Sequence, residues 1–211
     1  MALIAVTGTN HIGKTTFIND FIKKYPQYTL AKETTLFTLD AGSPKKIKKE
    51  VKKDVSKQEE FDINIAIEQL KAFDNMKDKI IIDGCLLDNL IRVLHYKDKN
   101  SNKMTDDFVW KTVMKVKNNI SKYGVIFYIP LTKKYDIKVK DKKIDMVERQ
   151  ELSNLFEGII ETYKTHKGSY FPLENSAAVI EILGSPEERV AMSGLYMEDI
   201  DAIPEDKKII K

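Results

Sequence analysis

Five short runs of apolar residues recur along the chain, and longer segments with a single apolar side separate them. The runs cover residues 2–7, 28–32, 79–83, 124–130 and 177–183. Most of them are continuously apolar rather than alternating, which is typical of strands whose two sheet faces are both covered. The pattern therefore predicts five strands of a buried sheet.

The segments between these runs repeat apolar residues every three or four positions, as one side of a helix does. Ser43 and Pro44 are good first residues for a further, basic helix. Strands and helices alternate along the whole chain, which predicts an α/β fold with a parallel sheet and no dividing linker. We expect one domain over residues 1–198 and a loosely held extension over 199–211. The other helices are predicted at residues 16–25, 59–76, 86–96, 105–123, 146–166 and 186–197.

The first strand runs directly into Gly8-Thr9-Asn10-His11-Ile12-Gly13-Lys14-Thr15, the Gly-x-x-x-x-Gly-Lys-Thr pattern of a phosphate-binding loop. The two glycines let successive backbone N–H groups point inward at phosphate oxygens, and the following helix adds its positive end. The Lys14 ammonium is expected at the β- and γ-phosphates, and the Thr15 hydroxyl at Mg²⁺. An ordinary glycine-rich turn is the alternative, which the strand before and the helix after disfavour. The predicted nucleotide-binding residues are Gly8, Thr9, Asn10, His11, Ile12, Gly13, Lys14, Thr15 and Thr16.

Charge changes this picture little, because 35 lysines and arginines face 32 aspartates and glutamates for a net charge of +3. Two lysine clusters stand at residues 45–57 and 133–143, and a solvated face is the simpler interpretation of the first. Neither has the interleaved aromatic residues of a base-stacking surface, so nucleic-acid binding is disfavoured. The single cysteine, Cys85, excludes an internal disulfide, and the three histidines lack the spacing of metal ligands.

The chain is expected to be cytoplasmic. No apolar run approaches the roughly 20 residues that span a bilayer. The apolar start of the chain lacks a basic leader and continues straight into the phosphate loop, unlike a signal peptide.

Two acidic residues follow predicted strands at the edge where open α/β sheets bind ligands. Asp83 ends the third strand and is a candidate to hold the Mg²⁺ and its water shell or to accept a proton. Glu33 follows the second strand and is a candidate to bind or deprotonate an acceptor hydroxyl. The alternatives are structural: Asp83 would cap the turn at Gly84, and Glu33 would be an exposed loop acid.

Arg149 stands near the start of a predicted helix, after a lysine-rich run. Arginine and lysine stabilise the negative charge that phosphoryl transfer spreads over the phosphate oxygens. We therefore expect a mobile basic lid at about residues 133–149 that closes over the phosphates, with Arg149 as a catalytic residue. The alternative is a solvated basic loop. Residues 184–189 form a tight strand-to-helix turn that either borders the adenine or simply starts a helix.

Four pieces of the chain together resemble the small P-loop kinases of nucleosides and nucleotides. They are residues 8–15, the run Ile80-Ile81-Ile82-Asp83-Gly84-Cys85-Leu86-Leu87-Asp88, residues 140–151 with Arg149, and residues 179–189. The similarity is to thymidylate-kinase-like and nicotinamide-riboside-kinase-like enzymes, including versions found in phages. It implies a three-layer fold with five parallel strands in the order 2-3-1-4-5. It also implies an acceptor pocket after strands two and three, and a lid between strands four and five.

The resemblance implies an ATP- and Mg²⁺-dependent phosphoryl transfer to a small nucleosidic acceptor. A (deoxy)nucleoside monophosphate is favoured, because lysine-rich walls suit an acceptor that already carries a phosphate. In such kinases the third strand usually ends in Asp-Arg or Glu-Arg, whereas here Gly84 follows Asp83, so Arg92 or a lysine is expected to substitute.

Several other functions stay open from the sequence. A nucleoside or nicotinamide riboside kinase is the first alternative, followed by a polynucleotide-end kinase and a non-catalytic nucleotide-binding module. A GTPase is disfavoured because Thr132-Lys133-Lys134-Tyr135-Asp136 has one residue too many for a guanine-reading motif. The oligomeric state, monomer or homodimer, is also open.

Overall fold

The computed structural model describes residues 3–31, 54–73, 79–99, 104–133, 144–165, 170–172 and 176–201. Several sequence predictions lie outside these residues: Glu33, the basic helix that follows Pro44, residues 134–143 of the lid and residues 202–211 of the extension.

The described residues form five strands and six α-helices in the alternation that the apolar pattern predicts. The strands are β1 (Leu3–Thr7), β2 (Tyr28–Leu30), β3 (Lys79–Asp83), β4 (Val125–Tyr128) and β5 (Ala178–Glu181). The helices are α1 (Lys14–Lys24), α2 (Val55–Phe73), α3 (Leu86–Lys99), α4 (Asp106–Asn119), α5 (Met146–Thr165) and α6 (Pro186–Asp201), and a 3₁₀ turn (Ile120–Lys122) follows α4.

All strand pairs are parallel, and the strand order is β2-β3-β1-β4-β5. β1 lies between β3 and β4, so that Val6 is opposite both Asp83 and Phe127. All five residues of β1 are buried, as its continuously apolar sequence requires. This order places the phosphate loop, which follows β1, beside the end of β3. The predicted α/β class and strand order are confirmed.

Helices cover both faces of the sheet and make three layers. On one face, Phe17 and Phe21 of α1 pack against Phe127 of β4, and Val190 of α6 joins the same buried cluster. On the other face, α2, α3, α4 and α5 pack against the sheet and against one another. The central strands β1 and β4 are therefore buried on both faces, which explains why they are apolar without alternation.

The ends of the elements differ from the sequence predictions by a few residues. α1 begins at Lys14, because Gly13, with φ 95°, turns the chain into the helix directly. α6 continues to Asp201, so residues 199–201 of the predicted extension are helical. The predicted helix over 105–123 ends in a 3₁₀ turn, after which the Gly124 N–H donates to the Leu3 carbonyl and joins the sheet. None of the described helices has the length and apolar character needed to cross a bilayer.

Candidate active site

The loop between β1 and α1 has a backbone that few residues can adopt. Gly8 has φ 142°, and a Cβ atom there would lie 2.5 Å from the Ile129 carbonyl oxygen, so glycine is required. His11 has φ 58°, and it is the non-glycine residue with a left-handed backbone within the described part of the chain. Such strain persists where the surroundings enforce it, which is common at ligand sites.

Side chains and backbone groups bind the carbonyl groups of this loop. The Lys14 ammonium donates to the carbonyls of Gly8, at 2.7 Å, and Thr9, at 3.1 Å. The Gly13 carbonyl accepts from the N–H of Phe17 in α1. The Lys14 ammonium therefore lies over the loop at which the β- and γ-phosphates are predicted to bind.

Two arginines bind the remaining loop carbonyls. Arg149 donates from Nε to the Asn10 carbonyl, at 3.1 Å, and from Nη2 to the His11 carbonyl, at 3.2 Å. Arg189 donates from Nη1 to the Ile12 carbonyl, at 3.0 Å. Both arginines are only 3% exposed. With Lys14, these two side chains satisfy each carbonyl from residue 8 to residue 12.

Arg149 was expected on a lid that moves over the phosphates. The structure places it in the first turn of α5, buried, with its guanidinium on the backbone of the phosphate loop. The Arg149 side chain therefore joins α5 to the loop in this structure, and its catalytic role stays a prediction.

Arg189 was not singled out as a site residue, although the sequence holds a signal for it. Only three of the 35 basic residues are arginines. Arg92, Arg149 and Arg189 all lie at the phosphate loop or at the cavity beside it.

Asp83 and Thr15 meet although 68 residues separate them in sequence. The Thr15 hydroxyl donates to the Asp83 carboxylate at 2.8 Å, because β1 and β3 are neighbours in the sheet. Hydroxyl and carboxylate oxygens are the ligands that Mg²⁺ prefers, and Mg²⁺ usually keeps several waters and binds substrate phosphates. The pair fits Mg²⁺ bound beside a polyphosphate.

The turn after β3 is held by other groups than Asp83. The Gly84 N–H donates to the Val6 carbonyl, at 2.8 Å, and the Cys85 N–H donates to the Asp88 carboxylate, at 2.7 Å. Asp83 therefore does not act as the cap of this turn. No group of three or more histidine, cysteine, aspartate or glutamate residues within the described ranges could hold a metal by itself.

Asp88, which the sequence analysis did not select, fixes the start of α3 against β1. The same carboxylate oxygen accepts from the Cys85 N–H and from the Thr7 hydroxyl, at 2.8 Å. Burial raises the pKa of the Cys85 thiol well above its usual value, and the nearby charge of Asp88 adds to the rise. The thiol is therefore neutral, and Cys85 is a packing residue rather than a nucleophile.

A cavity of about 870 Å³ opens beside the phosphate loop and extends between α2, α3 and the ends of β2 and β3. The loop, Thr15 and Asp83 form its polar side. Leu30, Ala66, Leu70 and Phe73 form an apolar wall, and the amides of Gln69 and Asn89 also line it.

Arg92 lines the same cavity but is held by carboxylates of α2. Its Nε lies 3.1 Å from a Glu59 carboxylate oxygen, and its Nη2 lies 3.8 Å from Asp62. Burial raises the pKa of Glu59, whereas the charge and hydrogen bond of Arg92 act to lower it. Burial also disfavours the charge of Arg92, but Glu59, Asp88 and Asp62 outweigh this effect and raise its pKa. The ion pair therefore joins α2 to α3 beside the cavity.

Comparisons with known proteins find similar structures but no similar sequences. No family model matches the chain, and no curated protein matches it in sequence. Among solved structures, the chain is similar to deoxyadenosine kinase from M. mycoides, with a TM-score of 0.58 and 21% identity, over 95% of this chain and 100% of that one. That kinase has been solved with dCMP and dCDP as products, with dATP and with dCTP.

Two further structures are similar at lower identity. Thymidylate kinase from Candida albicans matches with a TM-score of 0.64 and 13% identity, over 95% of this chain and 92% of that one. The NadR protein in complex with NR matches with a TM-score of 0.56 and 10% identity, over 93% of this chain and 51% of that one. These similar structures are thus two kinases, of deoxyadenosine and of thymidylate, together with NadR. At these identities the likeness shows the fold.

Proposed function

We propose that this protein is a kinase that transfers the γ-phosphoryl group of ATP, with Mg²⁺, to a hydroxyl of a nucleosidic acceptor. The observation that carries the proposal is the continuity of one cavity. The phosphate loop and the Thr15–Asp83 pair lie at one side of it, and an apolar wall with two amides lies at the other. Donor and acceptor can therefore meet in one cavity, as direct phosphoryl transfer to a hydroxyl requires.

The donor side has the groups that position a polyphosphate. The loop's N–H groups and the start of α1 suit the phosphates, and Lys14 can move from the Gly8 and Thr9 carbonyls to the β- and γ-oxygens. Thr15 and Asp83 would hold Mg²⁺, which would neutralise part of the phosphate charge during transfer.

In the proposed reaction the acceptor hydroxyl oxygen forms a bond to the γ-phosphorus, and the bond between that phosphorus and the bridging oxygen breaks, so that ADP leaves. The hydroxyl proton passes to a carboxylate. Asp83 and Asp88 are the carboxylates of the described cavity wall, and both already accept hydrogen bonds from neighbours. Glu33, which follows β2, is therefore our candidate for the base.

The acceptor side suits a flat heterocycle. Phe73, Leu70 and Ala66 provide apolar surface, and the amide groups of Gln69 and Asn89 can donate and accept at the polar edge of a base. A pocket with apolar walls and a few polar groups is the usual form of a small-molecule site.

A nucleoside is the acceptor that the described wall favours. Apart from Lys14, its lysine and arginine side chains comprise Arg92 alone, which pairs with Glu59 and Asp62. A guanidinium already neutralised by carboxylates has little attraction left for an acceptor phosphate. A nucleoside monophosphate is the second candidate. The lysine clusters at residues 45–57 and 133–143 favour it, and they lie mostly outside the described residues.

The test is a panel of nucleosides and nucleoside monophosphates, each with ATP and Mg²⁺, with ADP release and phosphorylated product measured together. The expected result is acceptor-dependent ADP release with a nucleoside. Product from monophosphates alone would support the second candidate, and ADP release that no acceptor increases would contradict both.

Lys14→Met is the variant that ties the activity to the loop. It should lower kcat by at least two orders of magnitude, the scale expected for a charge that acts at the transition state, while the fold is kept. Lys23→Met is the matched control, because Lys23 lies on the same helix with an exposed side chain and should leave turnover unchanged.

A further inference from the structure

The carbonyl groups of the phosphate loop are bound by arginines that the loop motif does not include. The N–H groups of the loop are predicted to bind phosphates, and each of its carbonyls that is buried needs a hydrogen-bond donor of its own. Three of these donors come from arginines placed 138 to 177 residues further along the chain. Arg149 reaches the loop from α5, and Arg189 reaches it from α6.

Arg189 differs from an ordinary structural arginine in its charge balance. It is 3% exposed, and it forms no ion pair with any carboxylate in the described part of the chain. Its hydrogen-bond partner is the neutral Ile12 carbonyl, and its buried Nε has no partner among the described residues. Arginine stays protonated in proteins, so a positive charge with no carboxylate partner among the described residues is buried against the loop.

Such a charge is costly in a protein without its ligand and favourable once an anion binds nearby. Burial lowers the pKa of Arg189, which is the sign of that cost. The loop whose carbonyl Arg189 binds is the predicted site of two or more phosphate charges. The field of a charge in such a poorly solvated place is weakly screened, so Arg189 can attract phosphates without touching them.

We propose that Arg149 and Arg189 are positioning residues of the phosphate site: they hold the carbonyls of residues 10–12, and Arg189 adds a buried positive charge, unpaired with any carboxylate of the described residues, that strengthens binding of the donor phosphates. The proposal rests on the proposed function only in assuming that the loop binds a nucleoside triphosphate. In this proposal both residues act on the phosphates through the loop, so they are positioning residues, and for Arg149 this role replaces the catalytic role expected from the sequence.

The key variants separate charge from hydrogen bonding. Arg189→Gln keeps an N–H donor for the Ile12 carbonyl but removes the charge, whereas Arg189→Lys keeps both a charge and a donor. Lys23→Met removes the same charge from an exposed position on α1 and is the control. Dissociation constants are measured by calorimetry for Mg–ATP and for inorganic pyrophosphate, which reports on the phosphate site alone.

Arg189→Gln should weaken binding of Mg–ATP and of pyrophosphate by the same factor, at least about tenfold, which corresponds to about 1.4 kcal/mol. Arg189→Lys should stay within about threefold of the unmodified protein, and Lys23→Met within about twofold. In an enzyme assay, KM for ATP should rise in Arg189→Gln while KM for the acceptor stays unchanged.

Arg149→Gln and Arg149→Lys extend the test to the other arginine. Both should weaken pyrophosphate binding, because a lysine cannot span two carbonyls as the guanidinium fork does. Lysine is therefore expected to preserve pyrophosphate affinity in place of Arg189 but not in place of Arg149.

Three results would overturn these claims in separable ways. If the unmodified protein bound neither Mg–ATP nor pyrophosphate, the proposed function itself would fail. If it bound them and Arg189→Gln melted at a lower temperature with unchanged affinities, Arg189 would be a packing residue only. If Arg189→Lys lost as much affinity as Arg189→Gln, the charge would have no part and the proposal would be wrong.

Discussion

At the scale of single residues, the site depends on pairs that the fold brings together over long sequence separations. Asp83 and Thr15 are the central pair, because their oxygens are 2.8 Å apart at the edge of the sheet where the phosphate loop begins. Neighbouring groups hold the turn after β3, so the Asp83 carboxylate is not needed there. Substitution of Asp83 should therefore lower the rate of phosphoryl transfer rather than the stability of the fold.

Asp83→Asn tests this expectation. The amide oxygen can still accept from the Thr15 hydroxyl, but the negative charge that suits Mg²⁺ is lost. We expect kcat to fall by about two to three orders of magnitude and the Mg²⁺ concentration for half-maximal rate to rise by about tenfold. Rates of ADP release across a Mg²⁺ titration give both values, and Asp20→Asn, on exposed α1 surface, is the control. Unchanged kcat with a lower melting temperature would make Asp83 a structural residue.

Substitution by alanine should have opposite effects on stability at two glycines, Gly8 and Gly158. Gly8→Ala would place a Cβ atom 2.5 Å from the Ile129 carbonyl oxygen, whereas a Cβ atom at Gly158 in α5 would meet nothing within 4 Å. Gly8→Ala should lower the melting temperature and weaken pyrophosphate binding. Gly158→Ala should stabilise the fold by about 0.5–1 kcal/mol, because alanine costs less backbone entropy in a helix. Denaturant unfolding measures both, and equal effects of the two substitutions would contradict the loop geometry.

At the scale of elements, the acceptor side of the cavity is organised by contacts between α2 and α3. The Glu59–Arg92 ion pair joins them, and the side chain of Glu59 is only 5% exposed whereas that of Arg92 is 39% exposed. A buried carboxylate with one partner is sensitive to losing that partner. The stability of the contact between α2 and α3 should therefore depend on pH when Arg92 is replaced.

Arg92→Met should destabilise the protein more at about pH 8 than at about pH 5. Burial already raises the pKa of Glu59, and Arg92 is the group that opposes the rise. A carboxyl with a raised pKa in the folded state favours folding below its unfolded pKa and loses this contribution as the pH rises through its folded pKa. Melting temperatures at the two pH values measure the effect. The double variant Glu59→Gln with Arg92→Met should lose the added pH dependence, and a pH-independent difference in Arg92→Met would contradict this assignment.

At the scale of the whole molecule, the phosphate loop is bound by side chains from α1, α5 and α6 at once. A ligand at this loop is therefore linked to the packing of helices on both sides of the sheet. Binding to the folded state alone stabilises a protein by about 2.7 kcal/mol at 100 times the dissociation constant.

For a domain of this size, that stabilisation corresponds to a rise in melting temperature of about 5–10 °C. Mg–ATP should produce such a rise in the unmodified protein and in Lys23→Met, and a much smaller one in Lys14→Met. Thermal melts with and without Mg–ATP provide the measurement. An equal rise in Lys14→Met would mean that the nucleotide binds away from the loop.

The sequence by itself determined the elements and the phosphate loop. Continuous apolar runs such as β1 and β3 identify buried strands, because both faces of the sheet are covered. The loop motif is local, so Gly8, Lys14 and Thr15 could be recognised from spacing alone. The strand order came from the resemblance to P-loop kinases rather than from periodicity, and the structure confirms it.

Only the tertiary structure decided what the distant polar residues do. Arg149 and Arg189 lie more than 130 residues from the loop carbonyls that they bind, and no local pattern records which distant group a helical arginine meets. Asp88 and the Glu59–Arg92 pair are likewise defined by packing between elements. Local periodicity records which side of a segment meets the core, whereas a hydrogen bond between distant segments depends on how every element between them packs.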